Sequence, residues 1–162
     1  MSLNNLKLRV GDLVIRHGKV LTVTQVNKNS IDLQPYFNFA ASHGLTYSVQ
    51  LVETDNEHIR KPVAGGKIKE LLTLIFKKPS PAVENNLVET RLALNTNQLA
   101  ETLKIIKSLW QEKLAKSGFL AGGKLGLYRQ ALLQATEEIA AAKGILPKQA
   151  ELLVLSSLKK WR

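Results

Sequence analysis

The sequence predicts an α+β protein in two parts, an antiparallel β module over 1–63 and an all-helical bundle over 64–162. Three observations predict it. Short β-branched runs separated by turn residues fill the first sixty positions, the apolar period becomes helical after 62-PVAGG-66, and positive charge gathers behind that switch. The chain carries 23 Lys and Arg against 13 Asp and Glu, a net of +10. Residues 1–63 hold 7 basic and 5 acidic side chains, and residues 64–162 hold 16 and 8. A basic half of that kind suits a polyanion such as DNA or RNA, or an anionic membrane surface.

In the first part, 10-VGDLVIRHGKVLTVTQV-26 places two β-branched runs around the turn-prone 17-HGK-19, and 20-VLTVTQV-26 alternates as a half-buried strand should. The polar 27-NKNS-30 is a turn by composition and leads into a strand over 31-IDLQPYFNF-39, with Pro35 expected at an edge or a break. A further turn, 42-SHG-44, precedes the strand 45-LTYSVQLV-52. Four or five strands in so short a span predict a small, strongly bent antiparallel barrel of the Tudor or SH3-like kind.

In the second part, residues 67–76 form a short amphipathic helix that 77-KKPSP-81 ends, since neither proline continues it. A second short helix is expected over 84–94. The clearest element runs from Asn97, read as an N-cap, to Ser117, with the apolar stripe Leu99, Leu103, Ile106, Trp110 and Leu114. Trp110, inside that stripe, reads as core. A helix over 123–143 follows, closed by Gly144, and Pro147 opens the last one.

The 44 % of hydrophobic residues suffices for a packed core, and the longest apolar runs are far too short to span a bilayer. The absence of cysteine excludes disulfides and thiolate chemistry and fits a reducing compartment, so a soluble, cytoplasmic protein is expected. The stretch 118-GFLAGGKL-125 contains G-x-x-x-x-G-K, the frame of a phosphate loop. Such a loop needs a strand before it and a Ser or Thr after the lysine. Here a helix precedes it and Leu125 follows, so it reads as a turn between helices. His17, His43 and His58 show no ligand spacing, and Glu137 and Glu138 diverge by about a hundred degrees on one helix. No cofactor, metal or catalytic residue is expected, and the chain reads as a non-enzyme.

The order of motifs resembles the CarD/CdnL-like bacterial transcription regulators, whose N-terminal module is also found in transcription-repair coupling factors. The family's G-D-x-V-x-x-x-H-G is similar to 11-GDLVIRHG-18, and the strand after it to 23-VTQV-26. Its tyrosine strand and following turn resemble 36-YFNF-39 and 43-HGL-45, and its hydrophobic-Arg loop end resembles 59-IR-60. In the helical half, 103-LKIIKSLW-110 and 118-GFLAGGKLGL-127 are similar to A-x-x-x-R-D-L-W and G-L-S-x-G-E-K-x-x-L.

The resemblance covers nearly the whole chain. It implies an N-terminal module that adds its strand edge to the β subunit of bacterial RNA polymerase, and a helical domain that touches promoter DNA and stabilises the open complex. The implied polymerase-binding residues are Asn29, Ile31 and Ser48, with a place in the sheet core as the alternative for Ile31. There are departures. The family's W-x-R-R-Y falls on 83-VENNLVE-89, with Val83 near the tryptophan position and asparagines for the arginines; Ser48 stands where a basic residue is common, and Gln50 where proline is usual.

Lys104, Lys107 and Gln111 read as one exposed stripe of the long helix. If its two longest helices pack antiparallel, Lys113, Lys116, Lys124 and Arg129 gather at one end of the bundle as DNA-binding residues, with affinity falling as salt rises. Two alternatives remain at this level: an adaptor whose barrel grips a protein other than polymerase, and an RNA- or ribosome-associated protein.

Overall fold

The structure, a computed structural model, describes residues 7–37, 44–50, 59–78 and 84–159. The strand ends at 38–39 and 51–52, the turn residues 42–43, His43, His58 and Val83 lie outside the described residues. The chain divides into two compact units, Met1–Pro62 and Val63–Arg162.

The first unit is a curled antiparallel five-stranded sheet, a half-barrel. Its strands are β1 (Leu13–Arg16), β2 (Lys19–Val26), β3 (Ser30–Pro35), β4 (Tyr47–Gln50) and β5 (Ile59–Arg60), in the order β4-β3-β2-β1-β5. His17 and Gly18 make the two-residue turn between β1 and β2, both with positive φ (50° and 76°), the geometry that matches strand twist in a tight hairpin. The register between β2 and β3 slips between Val23 and Gln25, a bulge that strengthens the local twist. Alternation sends Val14, Leu21, Val23, Ile31, Leu33, Val49 and Ile59 to one face as the core. Burying each such side chain contributes about 1.5–3 kcal/mol.

Pro35 ends β3. The Tyr36 amide donates to Val20 O, so the neighbouring Pro35 nitrogen faces the β4 side, beyond the ladder that joins Ser30–Leu33 to β4. No ladder bond is lost. β5 was not expected as a strand. Two residues are too few to show a period, and pairing with Ile15 and Arg16 of β1 makes them one.

The second unit is helical: α1 (Ile68–Phe76), α2 (Leu87–Leu94), α3 (Leu99–Ala115), α4 (Lys124–Lys143) and α5 (Pro147–Lys159). A 3-10 turn over Gly65–Lys67 leads into α1. The Val63 amide donates to the buried Glu138 carboxylate of α4 at 3.0 Å, and a Cβ at Gly65 would collide with the Ala142 carbonyl. The start of this unit is therefore fastened to α4. Asn86 caps α2 by accepting from the amides of Val88 and Glu89. Lys107 Nζ of α3 donates to the Ile75 carbonyl at 2.9 Å, which places a cation on an orphan acceptor at the C-terminal end of α1. Gly144, at φ 65°, closes α4 in the left-handed conformation that glycine tolerates.

The structure corrects two readings of α3. Asn97 is not its N-cap: it sits 5 % exposed with φ 59°, and Gln98 occupies the cap without a side-chain hydrogen bond. The apolar stripe holds for Leu99, Leu103 and Ile106, but Leu114 is exposed and Leu109 takes the inner position. Beyond Ile106 the inner face turns toward Glu112, because polar groups from the chain before α2 and from the start of α4 meet that side. Among the described residues no helix is long and apolar enough to cross a membrane.

Candidate functional site

The end of the bundle where α3 passes into α4 is organised by one buried acid. Glu112 Oε1 accepts from Lys124 at 2.7 Å and from Lys116 at 3.3 Å. Its Oε2 accepts from the Asn85 side chain at 2.7 Å and the Asn85 amide at 3.0 Å. Ser108 in turn donates to Asn85 Oδ1 at 2.7 Å. Exposed Glu84 adds contacts to Lys116 at 3.3 Å and Lys124 at 3.7 Å. Glu112 is 2 % exposed, yet both carboxylate oxygens are fully engaged, as a buried charge requires.

Burial alone would raise the Glu112 carboxyl. The hydrogen bonds from Lys124, then Asn85 and Lys116, outweigh it and bring the pKa from 4.5 down to about 2. The same hydrogen bond raises Lys116 above the usual lysine value, with a further contribution from Glu84. Lys113 lies 5.8 Å from the ring centroids of both Trp110 and Tyr128, within cation–π range. Burial, and then the charge of Glu151, pushes the Tyr128 hydroxyl upward.

Two of the four predicted DNA-binding residues are thus brought together, but on a carboxylate rather than on a free surface. Lys116 and Lys124 are both neutralised locally, and the Lys124 side chain is only 12 % exposed. Lys113 is half-buried over aromatic rings, and Arg129 is exposed further along α4. The stripe of Lys104, Lys107 and Gln111 does not exist as expected: Lys104 is exposed, Lys107 is committed to α1, and Gln111 is 8 % exposed. Trp110 is half-buried beneath Lys113. Glu112 itself was missed. Its spacing to Lys116 reads as an ordinary surface pair, and nothing local announces Asn85.

The sheet edge offers a second candidate. Asn29, in the turn before β3, and Ser48, on β4, are exposed. Ile31 is 1 % exposed in the sheet core, which favours the alternative that its side chain serves packing. The residue is apolar because it faces inward opposite Val49. Among the described residues no strand pairs with the outer side of β4. Tyr36 donates toward β2, so the odd-numbered residues Ile31 and Leu33 hydrogen-bond toward β4, to Val49 and Tyr47. The backbone groups of Ser48 and Gln50 therefore point outward.

The glycine-rich 118-GFLAGGK-124 lies between α3 and α4, with Gly118 and Gly122 at φ 88° and 58°, a helix-to-helix turn. Among the described residues no cluster of His, Asp and Glu could hold a metal ion. No protein-family model matches the chain, and a comparison with curated proteins finds no match.

Proposed function

We propose that the chain is a non-enzymatic, two-domain transcription regulator of the CarD-like kind, with a Tudor-like module over 1–63 and a helical domain over 64–162. The module binds the β subunit of bacterial RNA polymerase by strand addition, and the helical domain contacts promoter DNA without reading its sequence. Such a regulator works in the bacterial cytoplasm, which a chain without cysteine suits.

The observation that carries the reading is the outer edge of β4. Ser48 and Gln50 turn their amides and carbonyls outward along an exposed strand, the feature that β-augmentation uses. The sequence motifs quoted above support polymerase as the partner. The test is capture of the purified β-subunit lobe by the full chain, with Ser48→Pro as the control. Proline at 48 removes an outward N–H and leaves the pairing with β3 intact. Saturable capture that this change abolishes supports the reading; equal capture by both proteins rules out strand addition.

A second reading, an adaptor that binds protein and little DNA, is favoured by the neutralisation of Lys116 and Lys124 by Glu112 and Glu84. Under it, promoter DNA fails to bind at physiological salt while the sheet edge still takes a protein partner.

A further inference from the structure

A cleft of about 780 Å³ opens in the helical unit between α1 and α5, beside the C-terminal end of α4. Ile68, Leu72, Phe76 and Leu153 form its apolar floor. Three cations stand around that floor: Lys69, Lys77 and Lys143, all exposed. No carboxylate lines the cleft among the described residues. The hydroxyls of Thr73, Ser156 and Ser157 are turned back onto their own helix, donating to the carbonyls of Lys69, Leu152 and Leu153. The polar character left to the cleft is therefore positive.

The placement of the cations decides what fits. Lys143 belongs to the end of α4 that packs on Gly65, just before α1, so it stands at the Lys69 end of the cleft. Lys77 stands at the other end, eight residues along α1 and about 12 Å away. A single-headed amphiphile would satisfy one end and leave the other unmet. A helix that carries carboxylates about two turns apart, with apolar side chains between them on the same face, matches both ends and the floor.

The geometry points to this cleft as a docking site for an acidic amphipathic helix of a partner protein. The inference is independent of the sheet edge and of DNA contact.

The experiment titrates a fluorescein-labelled, alanine-based helical peptide into the full chain and follows anisotropy. The peptide bears glutamates about eight residues apart, bracketing two leucines on the same face. A second peptide replaces the glutamates with lysines. Two variants are compared, a triple Lys69→Glu, Lys77→Glu, Lys143→Glu chain and Thr73→Trp, which fills the cleft without changing charge. Circular dichroism and thermal melting confirm that both are folded.

The expected result is saturable binding of the acidic peptide to the unaltered chain, weakened at least about tenfold by either variant. The charge-swapped peptide is expected to bind the triple variant instead. Absence of saturable binding, or binding that neither variant weakens, would overturn the proposal. So would saturation of the cleft by sodium decanoate with the peptide failing, since that result describes a site for lipid anions.

Discussion

Glu112 is the residue on which the helical unit is most exposed to chemistry. Its folded pKa, about 2, lies below the ordinary 4.5, so the ionised form is favoured by folding. That contribution is present in full above about pH 5, shrinks as pH falls from 4.5, and is gone below about 2. It amounts to roughly 1–3 kcal/mol. Glu112→Gln removes the charge but leaves Lys124 nearly buried with only the exposed Glu84 as its carboxylate, 3.7 Å away. A loss of about 2–4 kcal/mol is expected, measured by urea unfolding at pH 7. The variant is also expected to lose the part of the acid destabilisation that falls between pH 4.5 and about 2. An acid limb identical to that of the unaltered chain would show that Glu112 does not carry it.

Among the elements, β3 and β4 separate what stabilises from what the proposed strand addition would use. Ile31 of β3 is core, and Ile31→Glu places a carboxylate among apolar side chains, with more than about 4 kcal/mol of destabilisation expected. Ser48→Pro on the outer strand is expected to shift the thermal midpoint by no more than about 5 °C while it removes the proposed strand addition. Melting curves of the two variants side by side check the contrast.

How far these elements were legible depends on where their determinants lie. Gly144 and Pro147 announce the end of α4 and the start of α5 locally, and both boundaries fall where the residues place them. Asn97 misled because its composition suits a cap while its conformation serves a buried left-handed corner. The site was legible as a cluster of cations but not in its charge, because Asn85 lies 27 positions from Glu112. No period connects them.

At the scale of the whole molecule, the net charge of +10 overstates what a polyanion would meet. With Lys116 and Lys124 neutralised by Glu112 and Glu84 together, the proposed DNA contact through the α3–α4 end would rest on Lys113 and Arg129. The plot of log affinity against log salt is then expected to have a slope near −2 for this site, against nearly −4 if all four cations were available. Replacing both Glu84 and Glu112 with glutamine should steepen the slope and tighten binding, measured by fluorescence anisotropy on a duplex of arbitrary sequence. No change on that replacement would show that these lysines never reach the phosphates. The order of the sheet carries a consequence of a different kind, in time. Arg60 of β5 pairs with Ile15, 45 positions back, while β1 and β2 meet across a two-residue turn. Closing the longer loop costs roughly 2 kcal/mol more in chain entropy. The meander from β1 to β4 is therefore expected to form first and β5 to dock last, with Ile59 entering a core already assembled. Ile59→Val should leave the refolding rate nearly unchanged and speed unfolding, whereas Val23→Ala should slow refolding. On that order, the strand that completes the sheet would set how long the module stays folded, not how fast it folds.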